Sequence, residues 1–245
     1  MKNWFVTLII ILNGSLLAQT PPGDEILKRV DQNITAENKV LTSQMIIYGR
    51  RGERTVHSKS WIQGTEKSFT EYLDPPRESG TKMLKLGDQL WMYSPQTDRT
   101  IRIAGHMLRQ SVMGSDLSYE DLMEDPQLHK IYSVESVQGD VFNSQPCWVL
   151  ELQAKQSDVA YQRRKIWVDQ ARYLVLKEER FAKTGRLLKT TVVKSVMQVN
   201  NRWVPEHIVF RDVLKNGNGT EFIIDSITFN VAIPEHIFSK AALRK

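Results

Sequence analysis

The chain has 245 residues, of which 33 are Lys or Arg and 28 are Asp or Glu, and its formal net charge is +5. This mild basic excess is mixed along the sequence and favours peripheral contact with anionic membrane surfaces, but no recognised nucleic-acid-binding motif is present, which excludes nucleic acid as an expected partner. Cys147 is the single cysteine, which excludes an intramolecular disulfide.

The first 18 residues have the pattern of a secretory signal peptide. Lys2 precedes an apolar run over 4–12, and Ala18 supplies a small residue at the expected cleavage site. The run is well short of the roughly 20 apolar residues that a membrane-spanning helix needs. We therefore predict an exported mature chain that begins at Gln19 and forms a single domain over 19–245.

The mature part begins with one predicted helix and continues mainly as strands. Apolar residues recur at helical spacing from Ile26 to Ile34, which predicts an amphipathic helix over 24–38. Runs rich in Val, Ile, Thr and aromatic residues then predict strands. The candidate strands are 40–50, 54–63, 65–74, 81–86, 89–93, 100–104, 131–138, 147–154, 163–168, 173–182, 187–200, 203–213 and 220–231.

Short turns join most of these strands, which requires antiparallel hairpins. The segment 107–123 interrupts them, because it has few β-branched residues and because Ser118 and Asp121 have the spacing of a helix-capping pair. The expected fold is mainly β, in the α+β class. It is one curled antiparallel sheet or half-open β-barrel of about 11–12 strands in meander order, with an N-terminal helix and a helical insert as a lid.

Several predicted strands are apolar on both faces. In 89–93 one face carries Leu90 and Met92, and the other carries Trp91 and Tyr93. A sheet with one face in water would alternate more cleanly, so we expect both faces to be covered or one face to line a cavity. Cys147 lies in a similar apolar setting, which predicts a buried and unreactive thiol.

The sequence lacks the motifs that are typical of catalytic and metal sites. G-x-S-x-G, H-E-x-x-H, the P-loop and G-x-G-x-x-G are all absent, so we predict no enzyme activity, no metal and no cofactor. Pro-Glu-His-Ile occurs at 205–208 and again at 234–237, and we interpret this repeat as coincidence rather than as a metal site. The acidic run 116–125 is interpreted as helix-cap and solvated carboxylates rather than as a calcium site or docking patch. The basic run 163–165 is interpreted as an exposed strand entry, with contact to lipid head groups as the alternative.

Four stretches, 78–86, 90–95, 99–103 and 111–122, carry a pattern that continues in 148–152, 166–169 and 203–205 and so covers nearly the whole mature chain. Its most specific part starts at Met113 and reads MGSDLSYED. Together these stretches resemble the LolA-like outer-membrane lipoprotein-sorting proteins of Gram-negative bacteria, in a divergent branch of that family. The resemblance implies a half-open antiparallel barrel, helices that form a lid over an apolar cavity, and a periplasmic location.

The resemblance also implies a function. The better-known relatives carry lipoproteins through the periplasm and shield their acyl chains, so we expect a carrier for the acyl chains of a lipoprotein or lipid in outer-membrane biogenesis. No position here matches a cavity arginine of those carriers. The alternative is an interaction module that docks on an inner-membrane lipid transporter and binds no lipid. The missing motifs disfavour an enzyme that acts on envelope lipids.

The positions of the acyl-chain groove are predicted from order along the chain. Because the strands over 83–93 closely precede the insert 107–123, we expect the insert to fold back over them. The candidates for acyl-chain contact are Met83, Leu84, Trp91 and Tyr93 on the sheet, with Leu108, Met113 and Leu117 on the lid. Methionine suits such a surface because its flexible thioether adapts to irregular shapes.

Overall fold

The computed structural model describes residues 20–49 and 52–244, so the predicted signal peptide over 1–18 lies outside the described residues. The helices are α1 Gly23–Ile34, α2 Tyr119–Met123 and α3 Leu128–Ile131. The strands of the N-terminal half are β1 Asn38–Gly49, β2 Gly52–Gln63, β3 Lys67–Asp74, β4 Lys82–Leu86, β5 Gln89–Ser94 and β6 Arg99–Ile103. Those of the C-terminal half are β7 Tyr132–Phe142, β8 Gln145–Ala154, β9 Arg163–Asp169, β10 Val175–Phe181, β11 Leu187–Val199, β12 Arg202–Asp212 and β13 Thr220–Phe229.

The described strands form one antiparallel sheet of thirteen strands, which does not close into a barrel. The mainly β fold with an N-terminal helix is confirmed, although the strand count exceeds the predicted 11–12. The predicted meander order is only partly right. Strands β1–β6 and β7–β13 form two meanders, and these join where β1 pairs with β13.

This topology explains why a helical segment crosses the sheet. Strands β6 and β7 are consecutive along the chain but lie at opposite edges of the sheet, so the connection between them must traverse a face. We call residues 104–131 the lid segment and the face that it covers the inner face. The predicted capping pair is present in it, because Ser118 and Asp121 cap the start of α2 reciprocally. No helix in the described ranges has the length and apolarity needed to cross a membrane.

Helix α1 covers the inner face of the C-terminal half of the sheet. Its buried apolar residues are Ile26, Leu27 and Val30, and they pack in one cluster with Leu150, Ile166 and Val168. Near the end of α1 the buried carboxylate of Asp31 accepts hydrogen bonds from the backbone N–H groups of Leu128 and His129, each at 2.9 Å. These bonds satisfy donors at the start of α3 and fasten the end of the lid segment to α1.

The end of the chain covers the opposite face of the N-terminal half. After β13, the 3₁₀ turns Glu235–Phe238 and Lys240–Arg244 lie against β3, β4 and β5. Their buried side chains Phe238 and Leu243 pack in one cluster with Phe69, Leu84 and Trp91. Both faces of these strands are therefore covered, as their two-sided apolar pattern predicts.

Cys147 is buried in an apolar cluster with Val149 and Trp167. Its Sγ donates a hydrogen bond to the carbonyl oxygen of Gln145 at 3.4 Å. Burial raises the pKa of the Cys147 thiol, and this disfavours the reactive thiolate. The predicted buried position is confirmed.

Candidate functional site

A cavity of about 360 Å³ lies between the lid segment and the inner face of the N-terminal half of the sheet. This volume falls in the range of roughly 300–1,000 Å³ that is typical of small-molecule sites. Most of its lining is apolar, and this part includes Leu41, Met45, Tyr72, Met83, Leu90, Val112, Leu117, Leu122, Val204, Phe222, Ile224, Ile227 and Phe229. The cavity therefore presents a mainly apolar surface.

Alternation along the strands decides which residues form the cavity floor. Met83 and Lys85 of β4 line the cavity, whereas Leu84 between them packs on the opposite face. In β5 the cavity side carries Leu90, and the adjacent Trp91 belongs to the opposite cluster. A shift of one residue along either strand would exchange the two sets.

Two pairs of hydroxyl groups at the floor are hydrogen-bonded to each other. Ser60 of β2 and Thr70 of β3 are cross-strand partners, and their hydroxyls are 2.8 Å apart. The hydroxyls of Ser43 and Ser58 form a second pair at 3.0 Å. Because buried hydroxyls that are already hydrogen-bonded need no further partner, this part of the floor can face an apolar chain.

Strand β13 contributes both even-numbered and odd-numbered apolar residues to the cavity. Phe222 and Ile224 line it, and so do Ile227 and Phe229. Between the two pairs the register against β1 shifts by one residue at a β-bulge, which leaves Asp225 as the extra residue. The bulge reverses the alternation, so even-numbered positions before it and odd-numbered positions after it share one side. Sequence analysis missed these residues because the pairing of β1 with β13 is non-local.

The lid segment forms the roof of the cavity. Val112 is buried in one cluster with Met45, and Leu117 lines the cavity nearby. Leu122 of α2 also lines the cavity, yet it is 40% exposed. Apolar surface is therefore continuous from the cavity to solvent beside α2.

The four groove residues predicted on the sheet separate by parity. Met83 lines the cavity, but Leu84, Trp91 and Tyr93 lie on the opposite face, beneath the C-terminal turns. The structure corrects the predicted position of these three side chains. The sequence shows two apolar parities in β4 and β5 but does not show which one the lid segment covers, and the segment that covers the other is distant in the chain.

The three groove residues predicted on the lid segment all lie on the inner-face side. Leu117 lines the cavity. Leu108 and Met113 pack against the apolar cluster that contains Met45 and Val56, and the described cavity lining does not include them. Leu108 and Met113 therefore support the roof from beside the cavity. That Met83 and Leu117 contact an acyl chain stays a prediction.

A network of buried charges fastens the lid segment to the C-terminal half of the sheet. Its members are Asp121 and Glu124 of the lid segment and Arg164, Glu178, Arg180 and Lys189 of the sheet. We call these six residues the clamp. Arg164 pairs with Glu178 at 2.7 Å and also with Glu124. Three cations balance three anions, and such balance is what makes the burial of so many charges tolerable.

Asp121 is the centre of the clamp on the lid side. Arg180 at 3.1 Å and Lys189 contact its carboxylate, and the Tyr161 hydroxyl donates a hydrogen bond to it at 2.7 Å. Burial alone would raise the pKa of Asp121, but Lys189 and Arg180 bring it down to about 2. The pKa of Glu178 is likewise lowered to about 2, because its cationic neighbours, Arg180 first among them, outweigh burial.

The clamp bears on two interpretations of the sequence. Within the acidic run 116–125, Asp121 has the predicted helix-cap role, and its side chain is only 3% exposed because it also forms the ion pairs of the clamp. The predicted exposure of the basic run 163–165 is only partly right, because the Arg164 side chain is 3% exposed whereas that of Arg163 is 52% exposed. Strand alternation separates these two arginines, but composition alone gives no sign of which one points inward.

We expect acid to weaken the clamp. Asp121 and Glu178 have folded-state pKa values of about 2, below the values of about 4 of unfolded carboxyl groups. Their contribution to stability is therefore fully present above about pH 5 and is lost as pH falls through about 4 towards 2. Urea unfolding at a series of pH values should show this decline in the wild type and a shallower decline in Asp121→Asn. Equal slopes in both proteins would contradict the assignment.

The repeated Pro-Glu-His-Ile sequence does not assemble into one site in the described structure. The first copy lies in β12, where His207 pairs with Glu221 at 2.7 Å. The second lies in the C-terminal turns, where Glu235 pairs with Lys67 of β3 at 3.1 Å. Each copy has its own partners, so the described structure does not bring the two copies together.

Comparison with known proteins assigns this chain to a family and identifies its fold. A family model described as "-like: Uncharacterized protein" matches residues 64–245. No curated protein matches the chain. Solved structures match it over almost its whole length, which excludes a chance likeness of one motif.

Three of these structures are similar in fold at low sequence identity. A putative outer membrane lipoprotein-sorting protein domain from Vibrio parahaemolyticus has a TM-score of 0.79 at 24% identity, covering 91% of this chain and 98% of its own. A DUF1329 family protein from Desulfovibrio piger has a TM-score of 0.80 at 23% identity, with coverage of 90% and 97%. The LolA superfamily protein NE2245 from Nitrosomonas europaea has a TM-score of 0.74 at 22% identity, with coverage of 89% and 97%. The chain therefore belongs to the uncharacterized-protein-like family whose model spans residues 64–245, and its fold is that of the LolA superfamily.

Proposed function

We propose that this protein is a periplasmic carrier that shields acyl chains of a lipoprotein or lipid in the cavity during transfer between membranes. The observation that carries the proposal is the apolar cavity of about 360 Å³ between the inner face and the lid segment. The fold is compatible with such a role, since the similar structures include an outer membrane lipoprotein-sorting protein domain. An inner-membrane transporter is the kind of partner that would load such a carrier.

The free energy gained by burying an acyl chain is large enough for a carrier to hold its ligand without catalytic groups. Each buried methylene contributes about 0.8 kcal/mol, so some 14 methylenes contribute roughly 11 kcal/mol before the costs of association. This interaction is non-directional and needs no nucleophile or metal. The paired hydroxyls of the floor already have hydrogen-bond partners, so the acyl chain need not supply any. The protein would thus act by binding rather than by catalysis.

The exposed edge of the cavity suggests where an acyl chain enters. Leu122 belongs to both the cavity lining and the outer surface, and Ile34 at the end of α1 lines the same cavity. A chain that enters there would pass between α2 and the end of α1, beside a pocket that Ile34 shares with the clamp residues Glu124 and Arg180.

A charged residue in the roof should weaken acyl-chain binding strongly. We expect Leu117→Asp to weaken the binding of a long-chain fluorescent fatty acid to delipidated protein by at least about tenfold, because a carboxylate in an apolar cavity is costly to desolvate. Fluorescence titration gives the dissociation constant, and thermal unfolding verifies that the variant is folded.

The matched control is Leu73→Asp, because Leu73 is 47% exposed at the end of β3. It should leave fatty-acid binding within about twofold of the wild type. If delipidated wild-type protein binds no long-chain lipid or lipopeptide, the carrier proposal fails. A module that docks on a membrane transporter without binding lipid would then replace it.

A further inference from the structure

Two lysines lie in one row across the floor at one end of the cavity. Cross-strand pairing places Lys39 of β1 beside Ile62 of β2, then Ser68 of β3, then Lys85 of β4, then Leu90 of β5. All five residues line the cavity. At about 4.8 Å per strand, the two lysine Cα atoms are roughly 14 Å apart, so they bracket this end of the floor.

Lys85 is buried without an ion pair. It is 8% exposed, and its Nζ donates to the backbone oxygens of Thr65 at 3.1 Å and Met123 at 3.2 Å. An ammonium carries three donors, and the described residues supply no third acceptor. No carboxylate in the described ranges lies within 4.0 Å of it, although Glu66 and Asp125 favour its charged form from farther away. Burial nevertheless lowers the pKa of Lys85.

Lys39, at the other end of the row, also lacks an ion pair with any described residue. Its Nζ makes one long hydrogen bond, 3.4 Å, to the Ile34 backbone oxygen, and it forms no salt bridge with any described residue. Burial and the nearby Arg202 both lower the pKa of Lys39. Arg202 itself donates to backbone oxygens near the end of α1. This end of the cavity is therefore positive and lacks a close counter-charge.

The clamp shows how this chain treats buried charges elsewhere. There each cation contacts at least one carboxylate, and the charges cancel. Leaving desolvated ammonium groups unpaired costs free energy, and an acyl chain alone would be served better by leucine or methionine at these positions. The lysines are explained if a bound ligand supplies the missing negative charge.

We propose that the lysine end of the cavity binds the anionic head group, a carboxylate or phosphate, of a single-chain amphiphile whose alkyl tail fills the apolar part. This inference rests on the proposed carrier function and adds the ligand class to it. The head group would lie near Lys39 and Lys85, and the tail would extend towards Met45 and Val112. Hydrogen bonds between charged partners in a partly dehydrated site would give the selectivity.

The test uses an uncharged fluorescent alkyl probe bound to delipidated protein. Palmitate and hexadecyl phosphate should displace it at concentrations about tenfold lower than hexadecanol, as expected for a hydrogen-bonded charge. Inorganic phosphate alone should not displace it. The double variant Lys39→Met/Lys85→Met should bind the probe and lose the preference for anionic amphiphiles. Lys59→Met, on the opposite face beside Trp61, should retain that preference.

The outcomes separate this inference from the carrier function. Equal displacement by palmitate and hexadecanol, or a preference that survives the double variant, would overturn the inference and leave the carrier proposal intact. Displacement by inorganic phosphate would indicate a free-anion site and overturn it too. A protein that takes up neither the probe nor any amphiphile would remove both proposals. If the double variant fails to fold, Lys39→Met alone should reduce the preference about threefold, while Lys85→Arg should keep it.

Discussion

Replacing Arg164 with methionine should lower the free energy of unfolding by about 3–5 kcal/mol, the cost of breaking a buried ion pair by removing one partner. Arg164 contacts both Glu178 and Glu124 and stacks over the Tyr132 ring at 4.8 Å. Without it the clamp would hold three carboxylates against two cations in a buried setting. Urea unfolding followed by tryptophan fluorescence measures the change.

The neighbouring arginine provides the control for this prediction. Arg163→Met removes an exposed side chain whose one ion pair, with Glu151, spans 3.8 Å, and it should change stability by less than about 0.5 kcal/mol. The double variant Arg164→Met/Glu178→Gln restores two cations against two carboxylates, so it should recover part of the loss. Similar small effects of Arg164→Met and Arg163→Met would show that the clamp does not hold the lid segment.

The parts of the fold that depend on local sequence could be predicted. Helix α1, the antiparallel hairpins and the capping pair Ser118–Asp121 all follow from residues within a few positions of one another. The joining of the two meanders could not, because β1 and β13 are far apart in the chain and the turns next to them carry no signal for their pairing. That pairing separates β6 from β7 and so forces the lid segment across the inner face.

The candidate site was predictable in kind but only partly in position. The sequence indicated an apolar cavity under a lid, and Met83 and Leu117 do line it. Which parity of β4 and β5 faces the lid depends on the C-terminal turns, whose Phe238 occupies the other face. The buried charges were missed for the same reason. Whether a lysine or arginine within a strand points inward is decided by register, and the register of a long sheet is set by tertiary contacts.

Polar contacts hold the lid segment to the sheet at both ends. Over the C-terminal half, the clamp binds it through directional charge pairs that need a fixed geometry. Beside the cavity, the carboxylate of Asp116 accepts hydrogen bonds from the Thr220 hydroxyl at 2.7 Å and from the Asp212 backbone N–H at 3.0 Å. The apolar side chains Val112 and Leu117 are thus positioned over the cavity by a segment that is fastened on both sides.

We expect Trp91→Ala to destabilise the protein strongly and to leave acyl-chain affinity unchanged. Trp91 is 8% exposed and packs in one cluster with Leu84, Phe238 and Leu243 on the face away from the cavity. Truncation of a buried tryptophan should cost about 3–5 kcal/mol through lost burial and the space left behind. Fatty-acid binding measured at a temperature where the variant is folded should stay within about twofold of the wild type.

The comparison with Leu117→Asp makes the assignment of the two faces testable. Leu117 lines the cavity, and the lid segment that carries it is also fastened by the clamp, so Leu117→Asp should lose binding with a smaller loss of stability than Trp91→Ala. The two variants should thus show opposite patterns of binding and stability, because strand alternation puts Trp91 behind the sheet. A folded Trp91→Ala protein that binds fatty acid ten times more weakly would contradict this arrangement. It would place Trp91 in contact with the ligand and move the binding site to the face beneath Phe238.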